Sequence, residues 1–162
     1  MENEAGRLAD ECPHGFAYLL AQLGFHAARM FAEQLAPMGL EPRHAGMLTR
    51  LAANEGKSQQ AIGDLIGLNA TRMVFLVDEL EHLGLVERRR NPADRRSYAL
   101  YLTADGHEKL AAVRAAGARH EERLGASLTE AERAQLAATL RQIAEAQGIS
   151  PASLPGPPPP TV

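Results

Sequence analysis

The sequence predicts a mostly α-helical fold with one small β-hairpin. Only 4% of the 162 residues are aromatic and Trp is absent, so apolar burial must come from Leu, Ala, Ile, Val and Met, a composition that suits helices. Over most of the chain, apolar residues recur every three or four positions, which is the period of one helix face. Near residue 85 the pattern changes to the alternation that is typical of short strands.

The first two helices are marked by apolar stripes and by the residues between them. The first is predicted over residues 16–35, and Pro37 and Gly39 end it. The second starts at Pro42, because proline is favoured in the first helical turn, and runs to about Asn54. The stripes comprise Phe16, Leu19, Leu20, Leu23, Ala27, Met30, Phe31 and Leu35 in the first helix, and Met47, Leu48, Leu51 and Ala52 in the second.

Two short helices follow, separated by a very short turn. Ser58 is a suitable N-cap for the third helix, and Gly67 closes that helix. Asn69 is a suitable cap for the fourth helix, which ends at Gly84. Two short helices joined by a glycine-containing turn are the sequence form of a helix-turn-helix.

The remaining elements are a hairpin and two more helices. Residues 85–90 and 95–102 read as strands around the turn-forming segment 91–94, so the chain is predicted to be a winged helix-turn-helix with a β-hairpin wing. Thr103 caps a fifth helix that continues toward Leu124. Thr129 and Glu132 have the spacing of a capping box at the start of a sixth helix.

Charge is concentrated in the wing of an otherwise acidic chain. The net charge is −3, yet residues 84–98 carry five arginines against Glu87 and Asp94, which gives a local charge of 5 − 2 = +3. A basic hairpin beside a helix-turn-helix can follow the phosphate backbone and insert a side chain into the minor groove. The alternative is a solvated surface hairpin, but the adjoining helix-turn-helix favours DNA binding.

The start of the fourth helix is the part of a recognition helix that meets base edges. Phe75 is unusual there, because an exposed aromatic on that face has either a thymine methyl group or a protein neighbour to contact. The candidate DNA-binding residues are Ser58, Gln59, Gln60, Asn69, Ala70, Thr71, Arg72, Phe75, Arg88, Arg90, Arg95 and Arg96. A winged-helix protein-interaction module without a role at DNA is the alternative from another class.

Four regions follow from this pattern. We expect a flexible N-terminus over residues 1–13 and a proline-rich, disordered tail over residues 148–162. Residues 41–102 are the expected DNA-binding region. Residues 14–40 and 103–147 are the expected dimerisation region, because their apolar stripes exceed what one small winged-helix lobe can cover. The sequence shows no signal peptide and no run of about 18 apolar residues, so we expect a cytoplasmic protein with no membrane role.

Several segments together resemble the MarR (multiple antibiotic resistance regulator) family in order and spacing, namely 67–71, 76–81, 84–88, 94–97 and 102–106. The resemblance implies a homodimeric repressor, not an enzyme, that binds double-stranded promoter DNA at a palindromic operator. It places the fourth helix in the major groove and a wing arginine at the minor groove, with Asp94 holding the wing by an ion pair. Phe75 departs from the polar residue usual at its position.

The same resemblance implies release of DNA by a small aromatic or phenolic ligand, held between the dimerisation helices and the DNA-binding lobe. The candidates from the first two helices are His26, Arg29, Met30, His44 and Met47. Pockets of this kind are mostly apolar with few polar groups.

One thiol offers an alternative form of regulation. One branch of the family senses organic hydroperoxides through an N-terminal cysteine, and Cys12 is the single cysteine of this chain. A sensor thiol must ionise, and the neighbouring Glu11 opposes that, so an inert thiol is the competing interpretation. The six histidines lack the short spacing of a zinc site, so we expect no metal and no cofactor.

Overall fold

The computed structural model describes residues 15–91 and 97–150. Over these residues the chain forms six α-helices and a two-stranded antiparallel hairpin, which confirms the predicted fold class. The order is α1 (Phe16–Leu35), a 3₁₀ turn (Ala36–Met38), α2 (Pro42–Ala52), α3 (Gln59–Ile66), α4 (Ala70–His82), β1 (Val86–Arg90), β2 (Tyr98–Leu102), α5 (Ala104–Leu124) and α6 (Glu130–Ala146). Cys12, Asp94, Arg95, Arg96 and the tail from residue 151 lie outside the described residues.

The helices begin where the sequence places their caps. In four cases a side-chain oxygen accepts a hydrogen bond from the backbone N–H three residues later, at Ser58, Asn69, Thr103 and Thr129. Gly67 ends α3 in the left-handed region, at φ 71°, which glycine adopts without steric cost. The turn from Gly67 to Asn69 therefore fixes the geometry between α3 and α4.

The hairpin is one residue shorter at its start than predicted, because the Leu85 N–H still bonds the Leu80 carbonyl at the end of α4. From there Val86 pairs with Leu102 and Arg90 with Tyr98. A further pairing was not predicted: the Gly56 N–H donates to the Leu100 carbonyl at 3.0 Å, and the Leu100 N–H donates to the Lys57 carbonyl at 3.1 Å. These bonds hold the residues before α3 beside the wing.

One apolar core joins the end of α1, α2, α3, α4, the hairpin and the first half of α5. Its fully buried side chains include Met47, Leu48, Leu51, Ile62, Ile66, Met73, Leu80 and Leu100. Gly106 allows α5 to start against this core, since a Cβ there would lie 2.0 Å from the Leu85 carbonyl oxygen. The packing fixes the orientation of α4 relative to the wing.

Helix α6 and most of α1 present apolar side chains to solvent. None of the residues of α6 is buried, and Leu136 and Leu140 are exposed on it. On α1, Phe16, Leu23 and Phe25 are also exposed. That these helices form a dimerisation region stays a prediction. None of the described helices combines the length and apolar character needed to cross a membrane.

Candidate nucleic-acid interface

Three elements converge on one cleft of about 410 Å³. The start of α3 contributes Ser58, Gln59 and Gln60, the start of α4 contributes Ala70, and the start of β2 in the wing contributes Tyr98. The structure thus brings the candidates of α3 and α4 together, and it adds Tyr98, which was not predicted. The backbone of Ser58 forms an antiparallel β-bridge with that of Ala99 in β2, so the start of α3 is held against the wing.

Helix α4 divides cleanly into a core face and an outward face. Met73, Leu76, Val77 and Leu80 are buried. On the opposite side lie Thr71, Phe75, Asp78 and His82, all exposed, and Phe75 keeps 65% of its surface in solvent. Asn69 caps the helix by accepting the Arg72 N–H at 2.9 Å. The positive end of the helix dipole and an exposed outward face therefore coincide at the N-terminus of α4.

Arg88 of β1 contacts protein groups with every part of its guanidinium. Its Nε donates to Gln59 Oε1 at 3.0 Å and its Nη2 to Asp78 Oδ1 at 2.7 Å. Its Nη1 pairs with Glu81, whose second carboxylate oxygen accepts the Arg88 backbone N–H at 3.0 Å. Only 20% of the Arg88 side chain is exposed. The wing, α3 and α4 are thereby joined at one side chain.

The other wing arginines of β1 differ from Arg88. Arg89 pairs with Glu87 and lies over the Tyr101 ring, 4.4 Å from its centroid. The hydrogen bond with Glu87 raises the pKa of Arg89 above its ordinary value. Arg90, at the end of β1, is exposed. Arg90 therefore lies nearest to the wing tip among the described arginines.

A second polar cluster ties α4 to α2. The Glu41 N–H donates to His44 Nδ1 at 3.1 Å, so that nitrogen carries no proton and His44 Nε2–H is the donor to Glu79 at 3.2 Å. Arg43 donates to the same carboxylate at 3.2 Å. His44, predicted as a ligand contact, is thus buried and hydrogen-bonded to its neighbours.

The five candidates for a ligand pocket fall into two places. His26, Arg29 and Met30 line a depression of about 440 Å³ together with Arg123 and Leu124 of α5. Met47 is fully buried in the core, and His44 of the same helix is also buried. The two groups separate because α2 turns its apolar stripe toward α4 and the wing. Within residues 15–91 and 97–150, no cluster of His, Asp or Glu is arranged to hold a metal ion.

Sequence reasoning missed the two polar clusters that orient α4. The residues of each cluster are far apart in the chain: Gln59 and Arg88 are 29 positions apart, and His44 and Glu79 are 35. The periodicity does indicate that Glu79 and Glu81 lie off the apolar stripe of α4. No sequence signal assigns them their partners.

Comparisons with known proteins agree with this geometry. The model of the MarR family matches residues 38–97, from the 3₁₀ turn to the wing. A Thauera aromatica protein described as a transcriptional regulator for the hcr operon is 33% identical over 152 residues, covering 89% of this chain and 90% of its own.

Two solved structures of repressors named CouR are also similar. The transcriptional repressor CouR bound to a 23-mer DNA duplex is 34% identical, with a TM-score of 0.75, and covers 89% of this chain and 99% of its own. CouR from Rhodococcus jostii RHA1 bound to p-coumaroyl-CoA is 29% identical, with a TM-score of 0.67, and covers 79% of this chain and 90% of its own.

Proposed function

Because the chain belongs to the MarR family of transcriptional regulators, which are not enzymes, we propose that it is a homodimeric repressor of a palindromic promoter operator. Each subunit places α4 in the major groove and its wing along the adjacent backbone. The observation that carries this proposal is the convergence of the start of α3, the start of α4 and the wing on one cleft. The DNA complex of CouR supports the same use of this fold.

The exposed apolar surface of α1 and α6 supports a dimer. Helix α6 buries none of its own residues, and a helix that packs so little would be marginal in water by itself. Exposed apolar side chains on α1 and α6, such as Phe25 and Leu140, would be covered by a second copy. A two-fold dimer explains why the operator should be palindromic.

For the ligand we propose a small aromatic compound, as the free acid or as its CoA thioester. The CouR complex with p-coumaroyl-CoA supports this class. In this chain the depression beside α1 has a volume within the usual range for ligand sites. Its lining carries Arg29 and Arg123 against Glu33, which pairs with Arg29 at 3.6 Å, and the remaining positive charge would favour an anion. We expect p-coumarate or p-coumaroyl-CoA to raise the melting temperature and to release DNA. Arg29→Ala should weaken both effects, whereas Arg119→Ala, outside the depression, should not.

The DNA-binding part of the proposal can be tested without knowing the operator. Wild-type protein would select duplexes from a randomised pool, and the enriched duplexes would be sequenced. We expect an inverted repeat with half-site centres about 10 base pairs apart. No enrichment over several rounds would instead favour a protein-interaction module.

Peroxide sensing through Cys12 stays a separate hypothesis, because Cys12 lies outside the described residues. Peroxide should release the selected duplex from wild type and leave Cys12→Ser bound. Equal release from both proteins would exclude a role for this thiol.

A further inference from the structure

We propose that Arg88 is a positioning residue that turns the Gln59 side chain so that its amide NH₂ faces a hydrogen-bond acceptor on DNA. The proposal rests on the proposed function, and it assigns Arg88 a role other than direct DNA contact. Gln59 is thereby a hydrogen-bond donor to the duplex.

The orientation of Gln59 follows from donor and acceptor chemistry. Arginine carries only donors, so the group facing Arg88 Nε at 3.0 Å must be the amide oxygen of Gln59. The NH₂ group then points away from Arg88. None of the described residues accepts a hydrogen bond from it, and Gln59 lines the open cleft between α3, α4 and the wing. Gln59 is therefore held as a donor toward that cleft.

Arg88 is itself held in place by α4. The carboxylates of Asp78 and Glu81 occupy both terminal nitrogens of its guanidinium. The backbone N–H of Arg88 adds a bond to Glu81 at 3.0 Å, which fixes β1 as well as the side chain. A planar guanidinium with three such partners has little rotational freedom, so the orientation of Gln59 is set before DNA arrives.

The same contacts reduce the negative charge on the DNA side of α4. Asp78 is exposed on the outward face of the helix, where an uncompensated carboxylate would repel phosphate. Arg88 offsets one of the two negative charges of Asp78 and Glu81. Two features thus depend on Arg88, the direction of the Gln59 donors and the charge beside the recognition helix.

Gln59→Ala, Arg88→Gln and the double variant test the coupling, and Arg90→Gln is the matched control on the same strand. Binding to the selected duplex and to a random duplex would be measured by fluorescence anisotropy over a range of salt concentrations. We expect Gln59→Ala to weaken binding about tenfold in the wild-type background and less than about threefold in the Arg88→Gln background. Weakening on both duplexes would identify a phosphate acceptor, and weakening on the selected duplex alone a base edge.

The salt dependence separates positioning from direct contact. Arg90→Gln should flatten the slope of log affinity against log salt by about one unit, as for a lost phosphate contact. Arg88→Gln removes no phosphate contact and should flatten the slope clearly less, through the uncompensated carboxylates of Asp78 and Glu81 alone. Additive losses in the double variant, or a slope change for Arg88→Gln equal to that of the control, would overturn the inference. Wild-type protein that binds no duplex would instead refute the proposed function, and the inference with it.

If Arg88→Gln does not fold, Gln59→Glu provides a second test. It keeps an acceptor for Arg88 and removes the donors, so the melting temperature should not fall while DNA affinity does. Gln60→Glu adds the same charge one position along the helix. Equal losses of affinity for the two variants would contradict the assigned orientation.

Discussion

Phe75 allows the orientation of α4 on DNA to be tested quantitatively. Its side chain is 65% exposed on the face opposite the core, so Phe75→Ala should leave the melting temperature nearly unchanged. Complete burial of a phenylalanine contributes about 1.5–3 kcal/mol, so covering the exposed two-thirds against thymine methyl groups would contribute about 1–2 kcal/mol. The expected loss of affinity is about 5- to 30-fold.

The assay combines the protein variant with altered DNA. Each thymine of the selected duplex would be replaced in turn by deoxyuridine, which lacks only the methyl group, and binding measured by fluorescence anisotropy. At one or more positions we expect wild type to lose about fourfold in affinity, from about 0.8 kcal/mol per methyl, and Phe75→Ala to lose nothing further. Leu83→Ala removes a partly exposed apolar side chain at the other end of α4 and should have no effect. If Phe75→Ala binds DNA as wild type does but weakens the dimer, the aromatic contacts protein and the orientation is wrong.

The remaining predictions concern the dimer, the wing and the cap of α6. Leu140→Glu, on the exposed apolar side of α6, should convert the dimer to a monomer at micromolar concentration, and light scattering that still reports a dimer would contradict the proposed interface. Arg95→Ala should weaken selected and random duplexes alike and flatten the salt slope by about one unit, whereas Arg72→Ala should cost about 1–3 kcal/mol on the selected duplex only. Hydrogen bonds from the backbone and side chain of Thr129 lower the pKa of Glu132, so its stabilising effect is complete above the ordinary carboxyl pKa and is lost as pH falls through the lowered value. The melting temperatures of wild type and Glu132→Gln should therefore converge on acidification, and a constant difference would show that the cap does not titrate.

Local chemistry made much of the fold predictable from the sequence. Ser58, Asn69, Thr103 and Thr129 each cap the helix expected, because a cap depends only on residues within one helical turn. The hairpin was likewise marked by alternation. The sequence did not indicate the additional pairing of the hairpin with Lys57, since that contact depends on how the loop before α3 folds back.

The candidate site was predictable in position but less so in the role of each residue. Composition placed Arg88 in a basic wing and so suggested contact with phosphate. The structure gives it carboxylate and amide partners that come together only after α3, α4 and β1 pack. His44 shows the same limit, because its partner on α4 is 35 residues away. Residue type indicates which interactions are available, and packing decides which one forms.

The central claim, that a dimer reads two half-sites with one winged helix-turn-helix each, is tested most directly by changing the half-site spacing. Insertion of about five base pairs at the centre of the selected duplex turns one half-site to the opposite face of the DNA. Fluorescence anisotropy should then show binding reduced to the level of a random duplex. A second insertion that completes the helical turn returns both half-sites to the same face of the DNA. Affinity unchanged by the half-turn insertion would mean that each subunit binds alone, and would contradict the account.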